Sequence, residues 1–263
     1  MVSLTQHHSG RFVKLVLIGD SGTGKTGSLT SLVKAGYQLR ILDMDNGLDA
    51  LVQHIKHECP DKLGNVDYET VRDKYVSGPT GPVVRNPKAF VDAAKLMTKW
   101  SDDSDPSEWG ENTVFVLDSG SSFGRAAFEW AKGMNPSAKD PRQWYFAAQQ
   151  AFENTIALLT SAAFKSNFIL ISHVTYRELQ DGTTKGYASA VGSALGPTIS
   201  KYFNILLLAE TSGSGKNVRR RIRTVPTAVV DLKNPAPFTI EADLPLESGL
   251  ATIFEKLKAV RDV

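Results

Sequence analysis

The stretch Gly19-Asp20-Ser21-Gly22-Thr23-Gly24-Lys25-Thr26 decides how the rest of the chain is read. An apolar run, Phe12 to Ile18, leads into it, and a helix is predicted after it over Ser28 to Lys34. Strand, G-x-x-x-x-G-K-[ST] and helix in that order make a phosphate-binding loop. Glycines let backbone N–H groups turn inward around phosphate oxygens. The helix N-terminus adds partial positive charge. Gly19, Asp20, Ser21, Gly22, Thr23, Gly24, Lys25, Thr26 and Gly27 form the candidate nucleotide-binding set. Lys25 would reach the β- and γ-phosphates, and the Thr26 hydroxyl would hold Mg²⁺. The competing reading, a glycine-rich turn that happens to spell the motif, lacks a reason for both flanks. ATP and Mg²⁺ are therefore the expected ligands, while the use made of the triphosphate stays open.

The chain has 263 residues, enough for one large domain or two small ones. A net charge of +2 does not by itself mark a nucleic-acid binder; only local clustering would. The single cysteine, Cys59, forbids an internal disulfide and fits a reducing cytosol. No apolar signal region and no run approaching 18 apolar residues is present, so a cytoplasmic protein without a membrane partner is expected. The adjacent His7 and His8 suit a frayed terminus better than a metal site.

Continuous apolar runs bounded by glycine or polar residues predict strands buried on both faces of a parallel sheet. They are Phe12 to Ile18, Tyr37 to Leu42, Thr113 to Leu117, Phe168 to Ile171 and Phe203 to Ala209. Gly36 ends the first helix. Further helices are predicted over Leu48 to Ile55, Pro87 to Trp100, Phe123 to Lys132, Gln143 to Phe164 and Pro197 to Tyr202, with a last one over residues 248–260. Tyr68 to Val76 reads as a short strand pair, Ser77 to Pro82 as a loop, and Val225 to Leu232 as a further strand. A turn at Ser212 to Gly215 predicts a hairpin near the C-terminus. Alternating strands and helices give an α/β fold with a mostly parallel sheet, expected as a single domain over residues 1–263.

Three strand ends carry chemistry. Val114 to Leu117 delivers Asp118, the pattern of a Walker B carboxylate that binds Mg²⁺. Without that role Asp118 would be a helix cap. The second strand ends in Asp43-Met44-Asp45; in extended chain both carboxylates would point to one side, and either could polarise water. Either could instead cap the following helix. The fourth strand ends in Ser172-His173, where a side chain could sense the γ-phosphate.

These motifs, in this order, resemble the RecA-like ATPase core, and especially the small phage-encoded ATPases related to RecA. Some of those act as single-strand annealing recombinases. The resemblance covers roughly residues 12–240. It implies the sheet order 5-1-4-3-2, followed by a C-terminal β-hairpin and helix. It places the catalytic carboxylate at Asp45, where RecA has Glu, and the sensor at His173, where Gln is frequent. Lys25, Asp45, Asp118 and His173 are the candidate catalytic residues, and Thr26 and Asp118 the metal-binding ones. Two mobile DNA-binding loops would correspond to Gly133–Arg142 and Val174–Gly196, the second carrying Arg177 and Lys185.

Lys216, Arg219, Arg220, Arg221 and Arg223 crowd five cations into eight residues. On an alternating strand Arg219, Arg221 and Arg223 share one face. They read as phosphate contacts, as arginine fingers acting on a neighbouring subunit, or as charges guarding an edge strand. Lys233 is a second trans-acting candidate by resemblance. Trp144, Tyr145, Tyr176 and Tyr187 lie near the loops and could stack on bases, although Trp144 also suits the core.

The leading expectation is a Mg²⁺-dependent ATPase that binds single-stranded DNA in phage-type recombination or annealing. Its expected partners are single-stranded DNA, further copies of itself in a filament or ring, and a single-strand-binding protein. The alternatives are a helicase-like or loader ATPase of replication, a nucleotide or small-molecule kinase, and a nucleotide-dependent switch with little turnover.

Overall fold

The computed structural model describes residues 11–261. His7 and His8 lie outside them. Five predicted runs become strands β1 (Lys14–Gly19), β2 (Gln38–Asp43), β6 (Gly110–Asp118), β7 (Ser166–Glu178) and β9 (Ile205–Ser212). They stand in the order β9-β1-β7-β6-β2, all parallel, which is the expected 5-1-4-3-2 arrangement. Their side chains alternate between two cores, as a sheet covered on both faces requires. Val16, Ile18, Phe115 and Leu117 enter one core. That core is closed by α4 (Ala89–Leu96), α5 (Gly120–Met134), α6 (Arg142–Thr160) and α7 (Gly192–Ile199). Leu15, Leu17, Val114 and Val116 enter the other. There they meet α2 (Thr30–Lys34), α3 (Asp49–Glu58) and α8 (Leu246–Arg261), and the short α1 (Lys25–Ser28) contacts α3 and α8.

Gly36 stops α2 as predicted, at φ +94°. The Tyr37 N–H reaches the Leu32 carbonyl and the Gly36 N–H the Val33 carbonyl, a Schellman cap that turns the chain into β2.

The sheet is wider than the five runs suggested. β3 (Val66–Thr70) adds in parallel beside β2, so Tyr68 belongs to the main sheet and not to a local strand pair. The expected loop at Ser77 to Pro82 is the tip of an antiparallel hairpin, β4 (Tyr75–Gly78) with β5 (Gly81–Val84). Gly81 at φ +123° makes that reversal, and the prolines around it hid the strands. At the other edge β10 (Arg219–Arg223) adds antiparallel to β9, and β11 (Asp243–Pro245) antiparallel to β10.

Two further expectations are corrected. The polar segment Val174–Gly196 is not a loop. β7 runs on past His173 to Glu178 and pairs with β8 (Thr184–Ala188), and α7 follows. Its alternation is polar on polar, so no apolar period marks it. Val225 to Leu232 is not a strand. The Thr227 hydroxyl accepts the N–H groups of Val229 and Val230, and this local turn replaces ladder pairing. Only isolated bridges remain, Gly186 with Val230 and Leu206 with Lys233. Among the described residues no helix is long and apolar enough to cross a membrane.

Candidate nucleotide site

The parallel register aligns the chemistry at one edge of the sheet. Gly19 lies opposite His173, and Asp43 lies opposite Asp118. Between Gly19 and Lys25 the chain makes the loop. The Thr23 N–H and hydroxyl both bond the Asp20 carbonyl, at 3.4 and 2.9 Å. Gly24 takes φ +90°, a conformation that admits glycine readily, and leads straight into α1. At Gly19 a Cβ would run into the Ala209 carbonyl of β9, so only glycine fits there. Lys25 is 8% exposed and donates to the carbonyls of Gly19 and Asp20 at 2.9 and 2.8 Å. Burial pulls its ammonium below the ordinary lysine range, against the charges of Asp118, Asp20 and Asp45.

Asp118 is the carboxylate that the loop meets. Its Oδ2 accepts the Thr26 hydroxyl at 2.7 Å, joining the start of α1 to the end of β6. Burial, reinforced by Asp45 and Asp43, pushes its carboxyl up to about 6, while Thr26 and Lys25 oppose the rise. A hydroxyl and a buried carboxylate side by side are hard oxygen donors suited to Mg²⁺. The described residues hold no cluster of three or more His, Cys, Asp or Glu that would form an all-protein metal cage. That fits an ion which takes its remaining ligands from phosphate and water.

Asp43 and Asp45 have separate places. The chain turns immediately after Asp43, so the two carboxylates do not share the face of an extended strand. Asp43 is buried, and its Oδ1 faces the N–H groups of Asp45, Asn46 and Gly47 at 3.1, 2.7 and 3.4 Å. Its Oδ2 accepts the Thr70 hydroxyl at 3.3 Å. Asp43 is thus spent on holding the turn. Asp45 stands half-buried on that turn, close enough for its charge to act on Lys25 and Asp118. Neither caps α3, whose N-cap is Leu48 without a side-chain bond.

His173 is held through its backbone: its N–H donates to the Ser121 hydroxyl, and its carbonyl accepts from Ser189. Its half-buried imidazole has no hydrogen-bond partner among the described residues. Ser172 is buried and donates to the Ser189 carbonyl at 2.7 Å. It therefore secures the start of α5 and the end of β8.

The basic candidates divide by their partners. Arg221 and Arg223 share a face with Glu210 and Asp243. Arg221 bonds Glu210 at 2.6 Å; Arg223 Nε lies 3.1 Å from it without hydrogen-bond geometry. Arg219 is exposed. Lys185 pairs with Asp231 at 2.7 Å, and Arg177 donates to the Ser193 carbonyl. Lys233 donates to the carbonyls of Ser200 and Phe203, at the end of β9 remote from the phosphate loop. In the 133–142 connection Arg142 is paired with Asp140. Trp144 donates to the Asn135 carbonyl and leans on the core; Tyr145 packs on Phe128. Tyr176 is exposed beside Asp20 and Glu210, and Tyr187 is half-buried.

One member of the cluster, set on the opposite face of the strand by the sequence but given no role of its own, lies near the loop. Arg220 points away from Glu210, and its Cδ comes within 3.3 Å of where a Cβ on Gly24 would sit. Leu246 from α8 crowds the same spot. The strict alternation of β10 turns Arg220 to the face opposite Arg221 and Arg223, as the sequence implied; that this face meets the phosphate loop depends on the packing of α8.

A family model described as an AAA domain matches residues 11–236. Among solved structures, the flagellar accessory protein FlaH from Methanocaldococcus jannaschii aligns with a TM-score of 0.44 at 12% identity. That alignment covers 90% of this chain and 87% of FlaH. The KaiC-like protein PH0186 from Pyrococcus horikoshii OT3 aligns with a TM-score of 0.40 at 14% identity, over 80% and 78% of the two chains. Comparison with curated proteins gives no match.

Proposed function

The chain is a P-loop ATPase that belongs to the AAA domain family, and from that premise we propose that it couples ATP hydrolysis to single-stranded DNA in phage-type recombination or annealing. The observation that carries the hydrolytic part is the 2.7 Å bond from the Thr26 hydroxyl to Asp118. It joins the loop to the end of β6 beside Lys25 and Asp45. Lys25 holds phosphate oxygens, and Asp45 orients and accepts a proton from the attacking water. Asp45 is preferred over Asp43 because the Asp43 oxygens are already occupied by backbone N–H groups and Thr70. Thr26 and Asp118 would hold Mg²⁺, which when bound would supply charge neutralisation to the phosphates. His173 is read as the γ-phosphate sensor, a role supported by its register opposite Gly19.

The DNA part rests on the sequence resemblance and on exposed cations at the site's edge of the sheet. Arg219 is the preferred trans-acting candidate, because Arg221 and Arg223 are paired within the chain. Such a residue acts in a homo-oligomer, where one copy completes the site of the next.

ATP hydrolysis with and without single-stranded DNA tests both parts, using wild type, Lys25→Ala and Asp45→Asn. Wild type should turn over ATP faster with DNA. Asp45→Asn should lose roughly 10²–10⁴ in rate while still binding nucleotide. A rate unchanged by DNA, with no DNA bound, refutes the coupling. An Asp45→Asn rate equal to wild type refutes the assigned base.

A further inference from the structure

The β4–β5 hairpin is unlike the rest of the surface. It forms its own two-stranded sheet, outside the main one. Tyr75, Val76 and Val83 are 52%, 38% and 41% exposed on it. An isolated hairpin gains little stability from showing such residues to water. Arg72, Lys74, Arg85 and Lys88 flank its base, and all four are exposed. Among the described residues none of the four has an ion pair or a side-chain hydrogen bond. The one carboxylate in the same stretch, Asp73, is committed elsewhere: it accepts the N–H groups of Lys88 and Ala89 at the start of α4. Four unpaired cations around an exposed aromatic ring match a polyanion that carries flat bases.

The hairpin is also wired to the nucleotide site. The strand that precedes it ends at Thr70, whose hydroxyl bonds Asp43, and the Val71 N–H bonds the Asp43 carbonyl. Asp43 in turn holds the turn that presents Asp45.

We infer that the β4–β5 hairpin is a contact surface for single-stranded DNA, with Tyr75 stacking on a base and Lys74, Arg85 and Lys88 on phosphates. The inference rests on the DNA reading above and deepens it. It moves the contact away from the Val174–Gly196 segment, whose two cations are occupied by Ser193 and Asp231. A strand seated on the hairpin pulls on Thr70 and Val71, and so bears on the orientation of Asp45.

The test is fluorescence anisotropy of a labelled oligothymidylate across a series of KCl concentrations. It uses wild type, Tyr75→Ala and the triple variant Lys74→Ala/Arg85→Ala/Lys88→Ala. Each lost phosphate contact removes about 0.7 from the slope of log affinity against log salt, so the triple variant should lose about 2. Tyr75→Ala should weaken binding about fivefold or more at fixed salt. Both variants should keep the wild-type thermal midpoint and basal ATP hydrolysis, and should lose stimulation by DNA. If wild type binds DNA and both variants match it in slope and affinity, the hairpin assignment falls while the DNA reading stands. If wild type itself does not bind the oligonucleotide, both fall.

Discussion

Asp118→Asn should make the nucleotide-free protein more stable while ending hydrolysis. Asp118 is 5% exposed, and burial with two neighbouring carboxylates raises its carboxyl from 3.8 to about 6. A carboxyl harder to ionise in the folded chain than in the unfolded one destabilises the fold whenever it is charged. Below about pH 4 both states are protonated and the cost vanishes. Between pH 4 and 6 the unfolded chain ionises first and stability falls; above 6 the full cost remains. About two units correspond to roughly 3 kcal/mol. Asparagine keeps an oxygen for the Thr26 hydroxyl but brings amide hydrogens that need partners, so the expected gain at pH 7.5 is about 1–3 kcal/mol. For a chain of this length that is a rise in Tm of roughly 3–9 °C. The assay is thermal unfolding followed by circular dichroism, in EDTA and without nucleotide, at pH 7.5 and pH 4.5. The excess stability of the variant should fall by about 2 kcal/mol at the lower pH, as the linkage between the two titrations requires. A variant less stable than wild type at pH 7.5, or an advantage that does not change with pH, refutes the reasoning.

Two other substitutions probe parts away from the phosphates. The Lys14 ammonium donates to the carbonyls of Leu159, Phe164 and Ser166, closing the end of α6, and burial pushes it down to about 7. A lysine harder to protonate when folded costs most below pH 7, and the cost disappears as pH rises toward 10.5. Relative to Lys14→Met, wild type should therefore gain stability from pH 7 to 10, by at most about 1.4 kcal/mol per unit in urea unfolding. Asp43→Ala should cost about 1 kcal/mol by removing the acceptor that holds the N–H groups of Asp45 and Asn46 in the turn. In a steady-state assay it should also slow ATP hydrolysis at unchanged nucleotide affinity, because the turn under Asp45 loosens.

The parts legible in the sequence are those whose signal is local. The phosphate loop announces itself by glycine spacing between two flanks, and each buried parallel strand by an unbroken apolar run. Asp118 and His173 could be placed because they end such runs. The hidden parts depend on partners far away in the chain. Nothing near Tyr75 says that it is solvated, and nothing near Thr175 says that β7 continues, because its partner β8 is as polar as itself. The division of the arginine cluster needed Glu210 and Asp243, which reach it only once β9 and β11 have paired on either side. Asp43 and Asp45 could not be told apart while the chain between them was taken as extended; β2 ends at Asp43 and the chain bends at once, which separates them.

The contact of Leu246 with Gly24 has a bearing on how the protein is made. α8 is the last of the described helices to leave the ribosome, yet it packs on the first loop of the sheet. The Ala251 N–H bonds the Ser31 hydroxyl across 220 residues of sequence, and Phe254 meets the Tyr37 ring at 5.2 Å. During synthesis the phosphate loop emerges about 220 residues before the helix that forms its outer wall. A nascent chain stalled before residue 246 should leave that loop unbraced, so nucleotide capture becomes a mark that α8 has been made and docked.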